Sequence, residues 1–508
     1  MVFSSGFWFV MVGMVGNSFR YSSWLLTRHC LFLCVPMADI INCGLRVGHW
    51  PKMYKRELIT PTPKQFPPES REMLRPITIL CNLNKIMGKI ISEMVISNMK
   101  DALDPTQYEN QKNISIQHYL VRLLHRVISS VDRNSKGEIN AVLCMFVDWK
   151  QAYSRQCHTL GVQSFINNGV RPSLIPILIS YFEDREMRVK RHGKLSEPRK
   201  LPGGGAMGAS LGNWEFLSQT NDNADCVPEE ERFKFDDDLT TLEIINLLTV
   251  GLSSFCMKSQ VPSDIPEHGQ VVDGKNLKSQ RYLQQLDEWT ENHKMVISEK
   301  KTKAMIFNFT DNYQFSTRLQ LKGRNIEIVD KMKILGTIVD SKLSWDENCS
   351  MIIKKVNARM QLIRGLISFG ASTEEMVHMW ILFCRSVLEQ FCVVWGTSLT
   401  QENIENLERT QKTFGKTVLK EKYKDYDNAL THLNLDSLES RRKQMCLKFA
   451  KKGIKNNTLN DLFQVNDKLH NMKTREDNVY KVNFANTDRL KNSSVICMQN
   501  WLNEDARN

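Results

Sequence analysis

At two points of the sequence, aspartates lie beside a short apolar segment. Asp148 directly follows Ala141–Val147 (AVLCMFV), and the acidic triplet Asp236–Asp238 interrupts the short apolar segment Arg232–Leu239. Carboxylates brought together in a folded core repel one another, and bound divalent cations are the usual remedy. Two Mg²⁺ held by such oxygens can activate an attacking hydroxyl and stabilise the leaving oxygens of a phosphoryl transfer. The alternative for the triplet alone is a solvated acidic turn, because Asp-rich turns are common.

Short apolar segments predict the strands that would position these carboxylates. Ala141–Val147 is a nearly continuous apolar run, which is typical of a strand buried on both faces. Glu186–Lys200 predicts two strands joined at the turn dipeptide His192-Gly193. Lys303–Phe309 (KAMIFNF) predicts a further strand. Strands therefore alternate with helices along this part of the chain.

Apolar residues at helical spacing predict helices before the first strand and throughout the last third of the chain. The spacing favours helices over Ile77–Met99 and Ile114–Ser130, and a further helix begins near Leu211. From Asp346 onward the pattern is mainly helical, with basic faces. The polar, lysine-rich segment after Leu462 is expected to be partly disordered.

The composition indicates a globular chain that suits a polyanionic partner. Its 508 residues are 42% hydrophobic and 24% charged, which is enough to bury a sizeable core. Lys and Arg number 68 against 56 Asp and Glu, so the formal net charge is +12. The 13 cysteines include no Cys-x-x-Cys pair, so neither a zinc site nor a disulfide framework is indicated and a reducing compartment fits best.

The first nineteen residues carry no charge and superficially resemble a signal peptide or a short membrane span. They lack a basic leading region, and Gly6, Gly13, Gly16 and Asn17 interrupt the apolar stretch. We therefore expect no stable membrane association. A buried or poorly defined start of the chain is the favoured interpretation.

Two segments resemble the aspartate motifs of reverse transcriptases. Phe146–Tyr153 (FVDWKQAY) resembles the first catalytic motif, an aspartate followed four and five residues later by Ala and an aromatic residue. Lys234–Thr240 (KFDDDLT) resembles the second motif, an aromatic residue, one variable residue and two aspartates. In that register Asp237 and Asp238 are the family pair. Asp236 then occupies the variable position, where a third negative charge could raise neighbouring pKa values and weaken metal binding.

Further segments follow in the order of the same family and imply nucleotide-binding residues. Leu74–Ile90 resembles the fingers motif, in which Arg75 would meet the incoming triphosphate and Lys64 could assist. Tyr153 would be the steric gate that excludes a 2′-hydroxyl. Gly208 would belong to the glycine loop, where Ala206-Met207 replaces the usual Pro-Gln. The alternatives are an ordinary surface Arg and a core Tyr.

Two later segments resemble the last palm motifs. Lys301 precedes the strand KAMIF and is the residue that the resemblance implies for protonation of departing pyrophosphate. The alternative is that any of Lys300, Lys301 and Lys303 is only a solvated surface lysine, and Lys301 is preferred by alignment alone. Ile334–Trp345 (ILGTIVDSKLSW) resembles the primer grip, with Leu335 and Gly336 at its centre. A simple hairpin is the alternative for this segment.

Together these motifs resemble the reverse transcriptase of a non-LTR, jockey-like retrotransposon, without a visible endonuclease or RNase H region. The resemblance implies an α+β right-hand polymerase that transfers nucleotides to a primer 3′-hydroxyl with two Mg²⁺. Its partners would be an RNA template, a DNA primer or target, and dNTPs, in the nucleus or cytoplasm; the oligomeric state stays open. A decayed nucleic-acid-binding relic and an unrelated basic scaffold are the alternatives. The implied organisation is an atypical leader at 1–37, fingers at 38–140, palm at 141–345, a helical thumb and connection at 346–462 and a polar tail at 463–508.

Overall fold

The computed structural model describes residues 23–64, 66–70, 73–132, 138–205, 208–247, 269–272, 277–310, 314–466 and 478–507. Its chain divides into two compact units, and each is described separately here. The first unit contains residues 1–105, 148–226 and 282–298. The second contains residues 106–147, 227–281 and 299–508.

The described part of the chain is a mixed α/β fold, as the sequence predicted, with a helical C-terminal region. The strands are β1 Arg56–Pro63, β2 Leu74–Ile79, β3 Asn140–Val147, β4 Glu186–Arg191, β5 Lys194–Leu195, β6 Arg199–Lys200, β7 Arg232–Phe235, β8 Asp238–Asn246, β9 Gly269–Val272, β10 Lys303–Phe307, β11 Gln314–Thr317, β12 Gln320–Leu321, β13 Arg324–Asn325, β14 Glu327–Ile328, β15 Lys331–Ile334 and β16 Thr337–Asp340. The helices are α1 Ser23–Arg28, α2 Cys30–Val47, α3 Asn82–Met99, α4 Ile116–Val131, α5 His158–Asn167, α6 Ile175–Phe182, α7 Ser210–Gln219, α8 Lys278–His293, α9 Asp346–Ser368, α10 Thr373–Met379, α11 Ser386–Leu388, α12 Cys392–Trp395, α13 Gln401–Leu419, α14 Tyr426–Leu433, α15 Leu438–Lys455, α16 Asp488–Lys491 and α17 Ser494–Arg507.

The first unit is built around a small mixed sheet. Strand β1 pairs with β2 in antiparallel register and with β4 in parallel register, and β4 also pairs with β5 and β6. The predicted turn at His192-Gly193 joins β4 to β5, and both residues have positive φ, at 46° and 78°. Two positive φ values suit the right-handed twist of a two-residue hairpin, which explains why this dipeptide marks the turn.

The second unit contains a five-stranded sheet in the order β14-β10-β3-β8-β7. Its central strand β3 carries the run Ala141–Val147, and every residue of that run is buried. The prediction of a strand buried on both faces is therefore confirmed. On one face lies helix α4, whose Tyr119 hydroxyl is hydrogen-bonded to the Thr240 hydroxyl of β8 at 2.7 Å.

The C-terminal half of the second unit is helical from Asp346, as predicted, and shares one continuous hydrophobic core with α4 and the sheet. One expectation needs correction. The helix predicted from Ile77 begins only at Asn82, because Leu74–Ile79 is strand β2. Part of the polar segment after Leu462 is ordered as α16 and α17, and α17 buries Val495, Ile496, Met498 and Leu502; partial disorder of that segment stays a prediction.

Helix α2 is the one described helix that is long and apolar enough to span a membrane, a property that core helices and signal sequences share. Its mean hydropathy is 1.6, and 22% of the stretch is buried. Exposed apolar side chains on it include Leu31, Phe32 and Val35. The uncharged first nineteen residues lie outside the described residues.

Candidate active site

The acidic triplet forms the turn between β7 and β8. Phe235 pairs with Asp238, which leaves Asp236 and Asp237 as the two turn residues. Asp236 has a left-handed backbone with φ of 55°, a conformation that Asp tolerates better than most residues. Gln107 supports the turn, because its Oε1 accepts a hydrogen bond from the Asp236 N–H at 3.1 Å. The left-handed backbone conformation at position 236 therefore favours an aspartate there.

Several of the predicted site residues lie at or next to the ends of strands of the five-stranded sheet. Val147 at the end of β3 pairs with Leu239 near the beginning of antiparallel β8. Asp148 is the next residue after Val147, and Asp238 immediately precedes Leu239. Strand β10 is antiparallel to β3 on the other side, and it begins two residues after Lys301. Asp148 thus follows the last residue of β3 directly, Asp238 is the first residue of β8, and Lys301 precedes β10 by two residues.

The environment of Asp238 is defined by its neighbours on the same face. Asp238 and Thr240 are separated by two positions in β8, so their side chains leave the same side of the strand. Burial raises the pKa of the Tyr119 hydroxyl well above its ordinary value, and the negative charge of Asp238 acts in the same direction. The Tyr119 hydroxyl is therefore neutral at physiological pH and suited to hydrogen bonding with Thr240.

Carboxylates are the ligands that Mg²⁺ prefers, so the donor types at these strand ends suit the ion implied by the resemblance. Among the residues that the structure describes, however, no group of three or more His, Cys, Asp or Glu side chains is arranged to hold a metal ion. The roles of Asp148, Asp237 and Asp238 as metal ligands, and of Lys301 as proton donor, stay predictions.

Lys64 and Arg75 lie on the β1–β2 hairpin of the first unit. Arg75 pairs with Thr62, and the Lys64 N–H donates to the Met73 carbonyl oxygen at 2.8 Å just beyond the end of β1. Because side chains alternate along a strand, Lys64 and Arg75 lie on the same face of the hairpin as diagonal neighbours. Both are exposed. The hairpin therefore presents two cations together, which suits contact with a phosphate chain.

Tyr153 lies in a short helical turn after Asp148, and its ring is half-buried. The ring stacks on Phe216 of α7 with centroids 4.9 Å apart and an interplanar angle of 23°. Gly208 has φ of 92°, which favours glycine, and a Cβ there would lie 4.0 Å from the Thr78 oxygen of β2. The glycine loop thus approaches the strand that carries Arg75. Ala206-Met207 lies outside the described residues.

Leu335 and Gly336 form the two-residue turn between β15 and β16, with φ of 45° and 97°. A Cβ at Gly336 would lie 3.6 Å from the Phe391 ring, so the turn packs against that side chain. Asp340 organises the following loop, because its carboxylate accepts hydrogen bonds from the N–H groups of Ser344 at 3.0 Å and Trp345 at 3.2 Å. The segment is a hairpin, and its role as primer grip stays a prediction.

Sequence reasoning missed Gln107 and Gln156, and it assigned no role to Asp340. Gln107 is buried and holds the aspartate turn, whereas Gln156 is buried against the glycine loop. An isolated polar residue carries no spacing signal, so no pattern could have identified either glutamine. The clue for Asp340 was its position before a short loop, where Asp side chains commonly accept hydrogen bonds from backbone N–H groups.

The comparisons with known proteins agree with the motifs. No protein-family model matches the chain. A curated protein of Drosophila melanogaster, named probable RNA-directed DNA polymerase from transposon BS, is 25% identical over 337 residues. That match covers 65% of this chain and 34% of the relative, so the chain spans about a third of the relative's length.

Among solved structures, an apo telomerase from Candida tropicalis, truncated from its C-terminal domain, matches 57% of this chain and 54% of its own chain. Its sequence identity is 9% and the TM-score is 0.35, a similarity too low to support an argument about function. The sequence match to the transposon protein confirms the resemblance that the aspartate motifs indicated: the chain is similar in sequence to the RNA-directed DNA polymerase of a transposon.

Proposed function

We propose that this chain is an RNA-directed DNA polymerase that extends a DNA primer on an RNA template. The observation that carries the proposal is the register of the five-stranded sheet. Antiparallel β3 and β8 pair Val147 with Leu239; Asp148 follows the first of these residues and Asp238 precedes the second. Two remote aspartate motifs next to paired strand ends support a catalytic site, whereas an unrelated scaffold gives no reason for such a register.

In this proposal Asp148, Asp237 and Asp238 hold two Mg²⁺. The ions, when bound, would neutralise the triphosphate and lower the pKa of the primer 3′-hydroxyl. The three carboxylates supply the negative charge that recruits the ions and fixes their location at the strand ends. Lys301, which precedes β10 by two residues, would donate a proton to the departing pyrophosphate.

Substrate binding in this proposal uses residues outside the acidic cluster. Lys64 and Arg75 on the β1–β2 hairpin would bind the triphosphate of the dNTP, while Tyr153 and Gly208 would contact its sugar and base pair. The turn at Leu335-Gly336 would contact the primer strand. Residues 38–140, 141–345 and 346–462 would act as fingers, palm and thumb, and basic helices of the last range would bind phosphates without reading sequence. Such a chain would work in the nucleus or the cytoplasm.

A second candidate function is nucleic-acid binding without catalysis, and the aspartate turn favours it. Three consecutive carboxylates, Asp236–Asp238, lie in and beside a two-residue turn. A third negative charge raises the free energy of ionising its neighbours, and the protonated forms bind Mg²⁺ poorly. A chain with this defect would keep its basic surfaces and its affinity for primer–template.

Primer extension distinguishes the two candidates. The purified chain is incubated with an RNA template, a DNA primer, dNTPs and Mg²⁺, beside Asp148→Asn and the matched control Asp101→Asn, an exposed aspartate of the same unit. We expect Asp148→Asn to lower extension by about two orders of magnitude or more, and the control to leave it unchanged. Extension that is equal in wild type and Asp148→Asn would contradict the polymerase mechanism. Salt-sensitive primer–template binding without any extension by the wild type would favour the binding protein.

A further inference from the structure

The turn that follows Asp148 holds the glycine loop at several points. We use the name glycine loop for residues 203–205 and 208–209, which precede α7. The Gly205 N–H donates to the Tyr153 carbonyl oxygen at 2.8 Å, and His158 Nε2 lies 3.1 Å from the Gly204 carbonyl oxygen. At the far end of α7, Gln219 Nε2 donates to the Cys157 carbonyl oxygen at 2.8 Å. The loop and the helix after it are therefore both attached to one short segment.

Tyr153 contacts both the glycine loop and the helix that follows it. Its carbonyl oxygen accepts the hydrogen bond from Gly205 within the loop, whereas its ring stacks on Phe216 of α7. Phe216 is fully buried in α7, so it gives the ring a fixed surface. A displacement of the loop or of α7 must therefore change the position of the Tyr153 ring.

Three groups of Gln156, its backbone carbonyl and both polar atoms of its side-chain amide, contact the glycine loop or α7. Its carbonyl oxygen accepts a hydrogen bond from the Gly204 N–H at 2.9 Å, and its Nε2 donates to the Gly212 carbonyl oxygen at 3.3 Å. Its Oε1 has no hydrogen-bond partner among the described residues and packs so closely against Gly205 that a Cβ on that residue would be 1.7 Å away. The side chain is 2% exposed, so it cannot exchange these contacts for water.

We infer that Gln156 is a positioning residue for sugar selection, because its side chain joins the segment that carries Tyr153 to the start of α7 and packs against Gly205 of the glycine loop. Helix α7 in turn supplies Phe216, on which the Tyr153 ring stacks. This inference rests on the proposed polymerase function, in which Tyr153 is the steric gate. A gate discriminates only while its distance from the nucleotide is fixed to a fraction of an ångström. The residue has no contact with the reacting atoms in this role; it acts through Tyr153 and the loop.

The test compares Gln156→Met with the wild type. Met has nearly the length and volume of Gln but lacks both amide atoms. The substitution therefore removes the hydrogen bond from Nε2 to Gly212 with little change in packing, and it keeps the backbone hydrogen bond to Gly204. Gln163→Met is the matched control, because Gln163 is exposed on the neighbouring α5 and donates only to Asn167 in the same helix, at 2.9 Å. A second variant, Gly205→Ala, displaces the Gln156 amide from the other side, and Gly88→Ala, with open space at its Cβ, is its control.

Two readouts are measured on the full chain. The first is hydrogen exchange of the glycine-loop amides, which we expect to accelerate about tenfold in Gln156→Met and Gly205→Ala. The second is the ratio of kcat/KM for a dNTP to that for the matching rNTP, which we expect to fall about tenfold. A purely structural defect would lower both rates by the same factor. In a Tyr153→Ala background, where the gate is already absent, Gln156→Met should leave the ratio unchanged.

Each outcome decides the inference. Faster exchange together with a lower ratio supports it. Unchanged exchange overturns it whether or not the chain is active, since the loop would not depend on the Gln156 amide. Faster exchange with an unchanged ratio in an active enzyme also overturns it. A wild type that cannot extend primers contradicts the proposed function itself, and the claim of sugar selection is then rejected with it. In that case the hydrogen-exchange result alone still decides whether Gln156 holds the loop.

Discussion

Glu215 gives the sharpest test of the electrostatics of the first unit. This carboxylic acid lies on α7 beside Phe216, and its side chain is fully buried. Its Oε1 is 3.5 Å from Gln219 Nε2, and among the described residues its Oε2 has no hydrogen-bond partner. Burial raises the pKa of Glu215 from the ordinary value of 4.5 to about 8, although the positive charge of Arg185 acts in the opposite direction. The folded chain therefore keeps this group protonated at neutral pH.

The sign and size of its effect on stability follow from the two pKa values. Since the folded pKa is higher than the unfolded one, folding binds a proton, and the contribution of Glu215 to stability is most favourable below pH 4.5. It decreases as the pH rises and becomes constant above about pH 8. Between pH 5 and pH 7.5 the loss amounts to about 3 kcal/mol, at 1.36 kcal/mol for each pH unit in which the states differ by one proton.

Glu215→Gln removes the ionisable group and keeps its shape, so it should abolish this pH-dependent loss. The unfolding midpoint is followed by thermal scanning from pH 5 to pH 8 for the wild type, Glu215→Gln and the exposed control Glu93→Gln. At pH 7.5 the variant should unfold roughly 6–12 °C higher than the wild type, while the two should nearly coincide at pH 5. Parallel curves for wild type and Glu215→Gln would show that the carboxyl is ionised or hydrated in the folded chain, and would refute the reasoning.

Three further predictions concern the second unit. Asp340→Ala removes the acceptor of the Ser344 and Trp345 N–H groups and should lower the free energy of unfolding by about 2–4 kcal/mol, with Asp340→Asn intermediate, as measured by urea unfolding. Asp132 accepts hydrogen bonds from the Asn486 and Thr487 N–H groups at 2.9 Å, so Asp132→Ala should speed proteolysis and hydrogen exchange within α16 and α17 without a matching change in α13. Burial lowers the pKa of His125 to about 4, so the folded chain disfavours its protonation and stability should fall as the pH drops from 6.5 towards 4. The stability of His125→Leu should therefore depend less on acid pH than that of the wild type. An unchanged dependence would mean that other groups cause the loss of stability in acid.

Much of the architecture around the aspartates was predictable because the local signals were strong. The apolar run Ala141–Val147 has the length and composition of a strand buried on both faces. The dipeptide His192-Gly193 suits the two positive φ values of a tight hairpin. The helical pattern after Asp346 was equally clear, since its apolar spacing continues over several turns. In each case one segment contained all the information that its own structure required.

Local patterns were insufficient where distant contacts decided the structure. Ile77 fits the helical spacing of the apolar residues after it. In the folded chain, however, Ile77 pairs with Thr60 of β1 and therefore belongs to a strand. The segment after Leu462 reads as polar, yet Val495, Met498 and Leu502 pack into the core that α4 and the helical region share. Pairing partners and shared cores are properties of the folded chain, so a local pattern cannot reveal them.

The residues that support the candidate site share a physical task that explains why no motif marks them. Turns and loops leave backbone N–H and C=O groups without partners in regular structure, and burial makes each unpaired group costly. Gln107 accepts a hydrogen bond from the Asp236 N–H at the aspartate turn, and Asp340 accepts one from the Ser344 N–H before α9. Gln156 donates to the Gly212 carbonyl oxygen near the start of α7. Any polar side chain of suitable length can do so, which is why these positions carry no recognisable spacing. It follows that the proposed polymerase activity can be lost through substitution of such a supporting residue while Asp148, Asp237 and Asp238 stay intact. A comparison of Gln107→Met with Asp148→Asn in primer extension would separate these routes: the first should weaken extension and accelerate exchange of the β7–β8 turn, whereas the second should abolish extension and leave that turn protected.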